Sequence, residues 1–368
     1  MNPDRGPSGT PPEPGLARWV RPAVRELKPY HIEDAAGLIK LDAMENPHPW
    51  PAELRGGLVE ALRSVELNRY PDGEARALKE RLRGHLGLSD DTGLLLGNGS
   101  DELIQMIGLT IGGPGRCLLC PEPSFSMYRI LAAVTGMRYV GVPLCGRDFD
   151  LDQEAMLRAI DRHQPAVVVL SYPNNPTGNL FERRSIEAVI EASPGLVLID
   201  EAYFDFSGET LLDRITGRPP VLVLRTLSKI GLAGLRVGFL IGDPGWLADI
   251  NKVRLPYNIG ALSQASADWA LSHAEVLREQ ALRIRRDRDA LCSALRRFEV
   301  LEVWVSHTNF LLMRAPGLGE SLYAGLKAEG ILVKSLHGAH PLLADCIRIT
   351  VGSAEENQAL LAALARQL

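Results

Sequence analysis

Between residues 94 and 242 the chain carries seven short apolar runs with little polar alternation. They are LLLG (94–97), RCLLC (116–120), RYVGVPL (138–144), AVVVLSY (166–172), GLVLIDEAY (195–203), PVLVLRTLS (220–228) and RVGFLIG (236–242). Helix-length segments such as DELIQMIGLTI and RRSIEAVIEAS lie between several of them. Unbroken β-branched runs suit strands buried on both faces, and such strands build a mostly parallel sheet covered by helices. The pattern predicts an α/β fold with a seven-stranded sheet in a large domain, residues 49–272. Residues 273–298 then read as one Arg-rich amphipathic helix. Strand-like pieces follow (EVLEVWVS, NFLLMR, GILVKSL, CIRITVG), then a final helix from about 353, which together predict a smaller α+β domain over 273–368. The segment 28–48 is expected to pack with that smaller unit, and 1–27, Pro- and Gly-rich at its start, to be a flexible lead-in.

Composition narrows the class of function. A net charge of −5 gives no electrostatic reason to bind nucleic acid or anionic lipid. Acidic residues interleave with the arginines of 273–298, which predicts a solvated helix face. No apolar run reaches the roughly 18 residues that cross a bilayer, and the first fifteen residues contain no apolar core of a secretory signal. Five cysteines are spread thinly, which fits reduced thiols in the cytoplasm. Cys117 and Cys120 have the spacing of a redox or metal pair, but on a strand residues three apart point to opposite faces. No metal site is expected.

Ligands of parallel α/β sheets bind beyond the carboxyl ends of the strands, so the residues that follow each run are the ones to inspect. After LLLG comes GNGSDELI, where Gly99, Ser100 and Asp101 open a helix. Such a start is either an anion nest or an ordinary cap. After AVVVLSY comes PNNPTGN, which puts Asn175 in a tight turn. GLVLI ends on Asp200, a carboxylate that needs a partner at the inner end of an apolar strand, with Tyr203 close behind. PVLVLR ends on Thr226, Ser228 and Lys229, with Arg236 seven residues after the lysine. Phosphate donors, an amide, a carboxylate and an amine together suit pyridoxal 5′-phosphate. Its ring nitrogen needs a carboxylate and its aldehyde an amine.

The series YPNNPTG, DEAYFDF and RTLSKIGLAGLRVGF resembles the fold type I, aspartate-aminotransferase-like pyridoxal-phosphate enzymes. ENP near the start, NRYPDG and IRITVG resemble, more narrowly, the histidinol-phosphate aminotransferase family. The matching pieces run from about residue 28 to 360. The resemblance implies that Lys229 bonds to the cofactor and shuttles a proton, that Asp200 pairs with the ring nitrogen, and that Tyr203 and Asn175 bond the phenolic oxygen. It implies a phosphate site of Gly99, Ser100, Asp101, Thr226, Ser228 and Arg236, and Phe125 stacked on the ring. Tyr70 would reach the neighbouring active site of a homodimer. Tyr30, Asn175, Lys334 and Arg348 would meet the substrate, a phosphorylated amino alcohol, with 2-oxoglutarate and glutamate as the other pair. Two departures stand out: many relatives step eight residues from lysine to arginine, and many have arginine where Lys334 stands. Aromatic aminotransferases and threonine-phosphate decarboxylases would use the same lysine and carboxylate. A non-catalytic aminotransferase-like regulator would require an appended DNA-binding domain.

Overall fold

The computed structural model describes residues 14–29 and 32–368. Its strands, in chain order, are β1 (Ile39–Lys40), β2 (Gly93–Asn98), β3 (Cys117–Glu122), β4 (Arg138–Pro143), β5 (Val167–Ser171), β6 (Leu196–Asp200), β7 (Val221–Thr226) and β8 (Val237–Gly242). They continue as β9 (Glu302–Val303), β10 (Phe310–Arg314), β11 (Ile331–Leu332), β12 (Lys334–Ser335) and β13 (Cys346–Thr350). Seven of them form one sheet in the order β2-β8-β7-β6-β5-β3-β4. All neighbours pair parallel except β8, which runs antiparallel to both β2 and β7. The expected α/β architecture with a mostly parallel seven-stranded sheet is the one observed.

Every residue of β5, β6, β7 and β8 is buried. Successive residues face opposite sides, so one strand feeds two cores. Val197, Ile199 and Val223 pack into the core on one face of the sheet, and Leu196, Leu198 and Leu222 into the core on the other. Each fully buried side chain of this size contributes about 1.5–3 kcal/mol. Cys117 and Cys120 are buried free thiols on β3. Burial pushes both thiols up, that of Cys120 to about 12, so neither is a reactive thiolate at neutral pH.

A second, four-stranded antiparallel sheet has the order β12-β13-β10-β9. Leu311, Met313, Ile347 and Ile349 of that sheet pack on Leu360 and Leu364 of helix Ala354–Gln367. Ser353 and Glu356 close a reciprocal capping box at the start of that helix, which satisfies two of its open N–H groups. β1 pairs in parallel with β11, Ile39 opposite Ile331 and Lys40 opposite Leu332. Of the run EVLEVWVS only Glu302–Val303 is strand; the indole N–H of Trp304 instead donates to the Arg147 carbonyl at 3.2 Å.

The long helix spans Ala274–Leu295. It is not solvated throughout its charged face. Arg288 is buried, donates to the Thr308 carbonyl at 3.1 Å and pairs with Asp289. A guanidinium holding the start of β10 explains one arginine that amphipathic spacing alone leaves on the surface. Among the described residues, no helix is long and apolar enough to cross a membrane.

One buried ion pair braces the ends of β6 and β7. Arg225 donates to Glu201 Oε2 from Nε at 3.0 Å and Nη2 at 2.8 Å, and its guanidinium lies 3.6 Å over the Phe204 ring. The Thr210 hydroxyl and the Leu211 N–H also donate to the carboxylate. Removing one partner strands the other charge in the core, which typically costs about 3–5 kcal/mol, whereas an apolar pair is far cheaper. Arg225→Leu is therefore expected to lose about 3–5 kcal/mol of unfolding free energy in urea. Glu201→Leu/Arg225→Leu should recover at least half of that loss, and a single variant as stable as the parent would contradict the brace.

Candidate active site

The reversal of β8 places the chemistry. β7 ends at Thr226, and a π-helical turn (Ser228–Leu232) and a short 3₁₀ turn (Ala233–Leu235) carry the chain back into β8. Because β8 runs backwards, Arg236 just before it lies at the same edge as the carboxyl ends of β2, β5, β6 and β7. The seven-residue step from Lys229 is long enough to bridge this turn. Arg236 sits in a left-handed conformation, φ 54°, which costs a non-glycine residue about 1–2 kcal/mol.

At this edge the strand ends surround a pocket of about 80 Å³. Ser100, Asp101, Phe125, Asn175, Asp200, Tyr203, Thr226, Ser228, Lys229 and Arg236 all line it, joined by Met44, Ser171 and Ala202. Ten of the residues singled out in the sequence thus converge from five strand ends.

One end of the pocket is a cradle for an anion. Gly99, φ 81°, precedes helix Ser100–Ile111, and a Cβ there would lie 2.5 Å from Arg236 Nη2. A Cβ on Gly238 would meet the Ser100 nitrogen at 2.6 Å. Two glycines therefore let the guanidinium and the helix start close on one point. The Thr226 and Ser228 hydroxyls, 2.9 Å apart, stand beside it. Backbone N–H groups at a helix start, two hydroxyls and an arginine form a phosphate donor set. Asp101 balances it, with Oδ2 at 3.8 Å from Arg236 and Oδ1 buried without a hydrogen-bond partner among the described residues.

The other end holds the acid–base groups. Asp200 Oδ2 accepts from the Tyr128 hydroxyl at 2.6 Å, and Oδ1 from the Ala202 N–H at 3.0 Å. Burial raises the Asp200 carboxyl to about 6; both hydrogen bonds and Lys229 oppose that rise, while Asp101 adds to it. Lys229 Nζ lies 5.8 Å from the centroid of the Tyr203 ring. Burial is the main cause that lowers its amine to about 8, helped by the charges of Arg348 and Arg236 and opposed by Asp101 and Asp200. A lysine in this state is partly neutral near pH 8 and able to act as a nucleophile.

A chain of contacts ties the smaller unit to this pocket. Arg348, on β13, donates to the Asp42 carbonyl at 2.9 Å and to Asn175 Oδ1 at 2.7 Å; Asn175 Nδ2 in turn lies 3.2 Å from the Tyr203 hydroxyl. Lys334 on β12 is the cross-strand partner of Arg348. Asn46 donates to the Ile230 carbonyl at 2.9 Å, so the N-terminal stretch also clamps the lysine turn. Tyr70 is not in the pocket. It is 80% exposed and stacks on Tyr257, with ring centroids 4.4 Å apart. Tyr30 lies outside the described residues.

Sequence reading passed over Tyr128, although it stands three residues after Phe125 in PEPSFSMY. A tyrosine inside an otherwise apolar helix face is the available signal, because a buried hydroxyl needs a partner. It also gave no role to Arg225 and Asn46, whose partners lie far away in the chain.

The resemblance of this site extends to whole proteins. A histidinol-phosphate aminotransferase of Nitrosococcus oceani is 52% identical over 350 residues, 95% of this chain and 97% of that one. One from Chromobacterium violaceum is 48% identical over 351 residues, 95% of this chain and 98% of that one. The crystal structure of histidinol-phosphate aminotransferase from Sinorhizobium meliloti in complex with pyridoxal-5′-phosphate superposes with a TM-score of 0.85 at 25% identity, covering 95% of this chain and 97% of that one. The family model for aminotransferase class I and II spans residues 36 to 364, and the chain belongs to that family.

Proposed function

We propose that this protein is a pyridoxal-phosphate-dependent histidinol-phosphate aminotransferase, interconverting histidinol phosphate and 2-oxoglutarate with imidazole-acetol phosphate and glutamate. The observation that carries this reading is the convergence of Lys229, Asp200, Asn175 and Tyr203 in a pocket joined to Arg348 by hydrogen bonds. The 52% and 48% identical relatives of that name support the choice of substrate.

The residues present suit the cofactor. Ser100, Thr226, Ser228 and Arg236 would hold its phosphate, Asp200 its ring nitrogen, Asn175 and Tyr203 its phenolic oxygen, and Phe125 a face of the ring. When bound, pyridoxal 5′-phosphate supplies an aldehyde for amine capture and a protonated ring that draws electrons from the reacting carbon. Lys229 is the group that takes a proton from the substrate carbon and returns it, since its amine is half neutral near pH 8. Asp200 stays ionised at that pH and so keeps a negative charge opposite a ring N–H. Tyr203 and Asn175 fix the second polar edge.

The distal end of the substrate falls to Lys334 and Arg348. Two like charges directly opposite on neighbouring strands repel, and an anion between them relieves that cost. A phosphate monoester carries the charge to bridge both; arginine adds two-pronged geometry that lysine lacks. A second copy of the chain completes the reading. Tyr70, Leu67 and Leu255 are each at least 70% exposed, apolar side chains that a homodimer would bury while bringing Tyr70 to the neighbouring site. The free cysteines fit a cytoplasmic enzyme.

Lys229→Ala is expected to keep its melting temperature and to lose at least about 10³-fold in the rate of pyridoxamine phosphate formation from histidinol phosphate. A wild-type protein that forms pyridoxamine phosphate with phenylalanine but not with histidinol phosphate would refute the substrate. Asp200 carries a further measurable cost. Its folded-state value near 6 exceeds the usual 3.8, so above pH 6 the apoprotein holds a charge that burial disfavours. Asp200→Asn is therefore expected to stabilise the apoprotein at pH 8 by about 1–3 kcal/mol, a gain that shrinks below pH 6 and vanishes below about 3.8. The same variant should bind cofactor at least about tenfold more weakly by equilibrium dialysis.

A further inference from the structure

Among the largest fully buried side chains of the described residues, Tyr128 is the one with a polar tip. It stands in the first turn of helix Met127–Val134, with its ring edge-on to Phe125 at a centroid distance of 5.5 Å. Its hydroxyl reaches Asp200, 72 residues further along the chain, at 2.6 Å from Oδ2. That is the length of an O–H···O⁻ bond, and such bonds are about twice as strong as neutral ones. It is also the single side-chain hydrogen bond to this carboxylate among the described residues, the other oxygen being held by the Ala202 N–H.

A buried carboxylate is driven toward its neutral form, and a donor to the ionised form resists this. We propose that Tyr128 is a positioning residue whose O–H keeps Asp200 ionised and aimed at the cofactor ring nitrogen. The proposal rests on the cofactor reading above. Other charged or titratable groups face the same carboxylate. Asp101, at the start of helix Ser100–Ile111, favours the neutral form, and Lys229, after β7, favours the ionised form. Cys120 on β3 is held neutral throughout by its high pKa, and Tyr203 lines the same pocket. None of these donates a hydrogen bond to Asp200, so the phenol is the group whose removal isolates the effect.

The test uses full-length wild type, Tyr128→Phe, Asp200→Asn and Tyr128→Phe/Asp200→Asn. Each is stripped and reloaded with pyridoxal 5′-phosphate between pH 5.5 and 9. Kd is read from the absorbance of the bound cofactor, and apoprotein melting reports folding. In Tyr128→Phe the pH midpoint for loss of affinity should move up by about one unit, raising Kd about fivefold at pH 6 and leaving it near wild type above pH 8. In the Asp200→Asn background the phenylalanine should change neither quantity. A uniform weakening across the pH range, no change at all, or an equal shift in the Asp200→Asn background would overturn the proposal. Should Tyr128→Phe not fold, 3-fluorotyrosine placed at 128 is a stronger donor and should move the midpoint down; an unmoved or raised midpoint would overturn it. Wild-type protein that takes up no pyridoxal phosphate would sink the cofactor reading itself, and that arm is read before any variant.

Discussion

Asp200 is the group on which the rest of the site depends, because it ends a strand in which every residue is buried and still carries a carboxylate. Its oxygens are met by a phenol O–H and a backbone N–H, and its charge by a lysine one strand away. The neighbouring Glu201 points the other way and is neutralised by Arg225. Consecutive acids on consecutive faces thus serve opposite ends. One is fully paired and braces the sheet; the other is held by donors alone and keeps its charge for a ligand.

The electrostatics of the pocket follow from the same economy of burial. Two acids, Asp101 and Asp200, and three bases, Lys229, Arg236 and Arg348, act on one another across the site. Burial alone would make both Lys229 and Asp200 neutral. The surrounding arginines push the lysine further that way, whereas Tyr128 and Ala202 hold the carboxylate back. The outcome is a neutral-leaning amine next to a charge-bearing acid near pH 8, which is the pairing that amine capture and ring protonation each require.

Positioning is shared between the two sheets. Arg348 and Asn46 come from the smaller unit and the N-terminal stretch, yet they grip Asn175 and the Ile230 carbonyl beside the lysine. The Met44 N–H is bonded to Thr350 on β13, so this stretch is itself fastened to the smaller sheet. A shift between the sheets would therefore change the amide that faces Tyr203 and the turn that carries Lys229 together.

The sequence by itself determined the local part of this protein. Unbroken apolar runs dictated strands buried on both faces, and polar residues placed straight after those runs, such as Asp200 and Lys229, had to lie at the ligand-binding edge. Those facts depend on neighbours in the chain and on the two-residue period of a strand. Only the tertiary structure decided that β8 runs backwards and brings Arg236 to that edge, that Arg348 bonds Asn175 across 173 residues, and that Tyr128 meets Asp200 across 72. It also decided that Arg288 turns inward and that Tyr70 stands on an open surface. Contacts of this kind are set by how two sheets pack and by which polar groups would otherwise be buried alone. No local period of side chains encodes them.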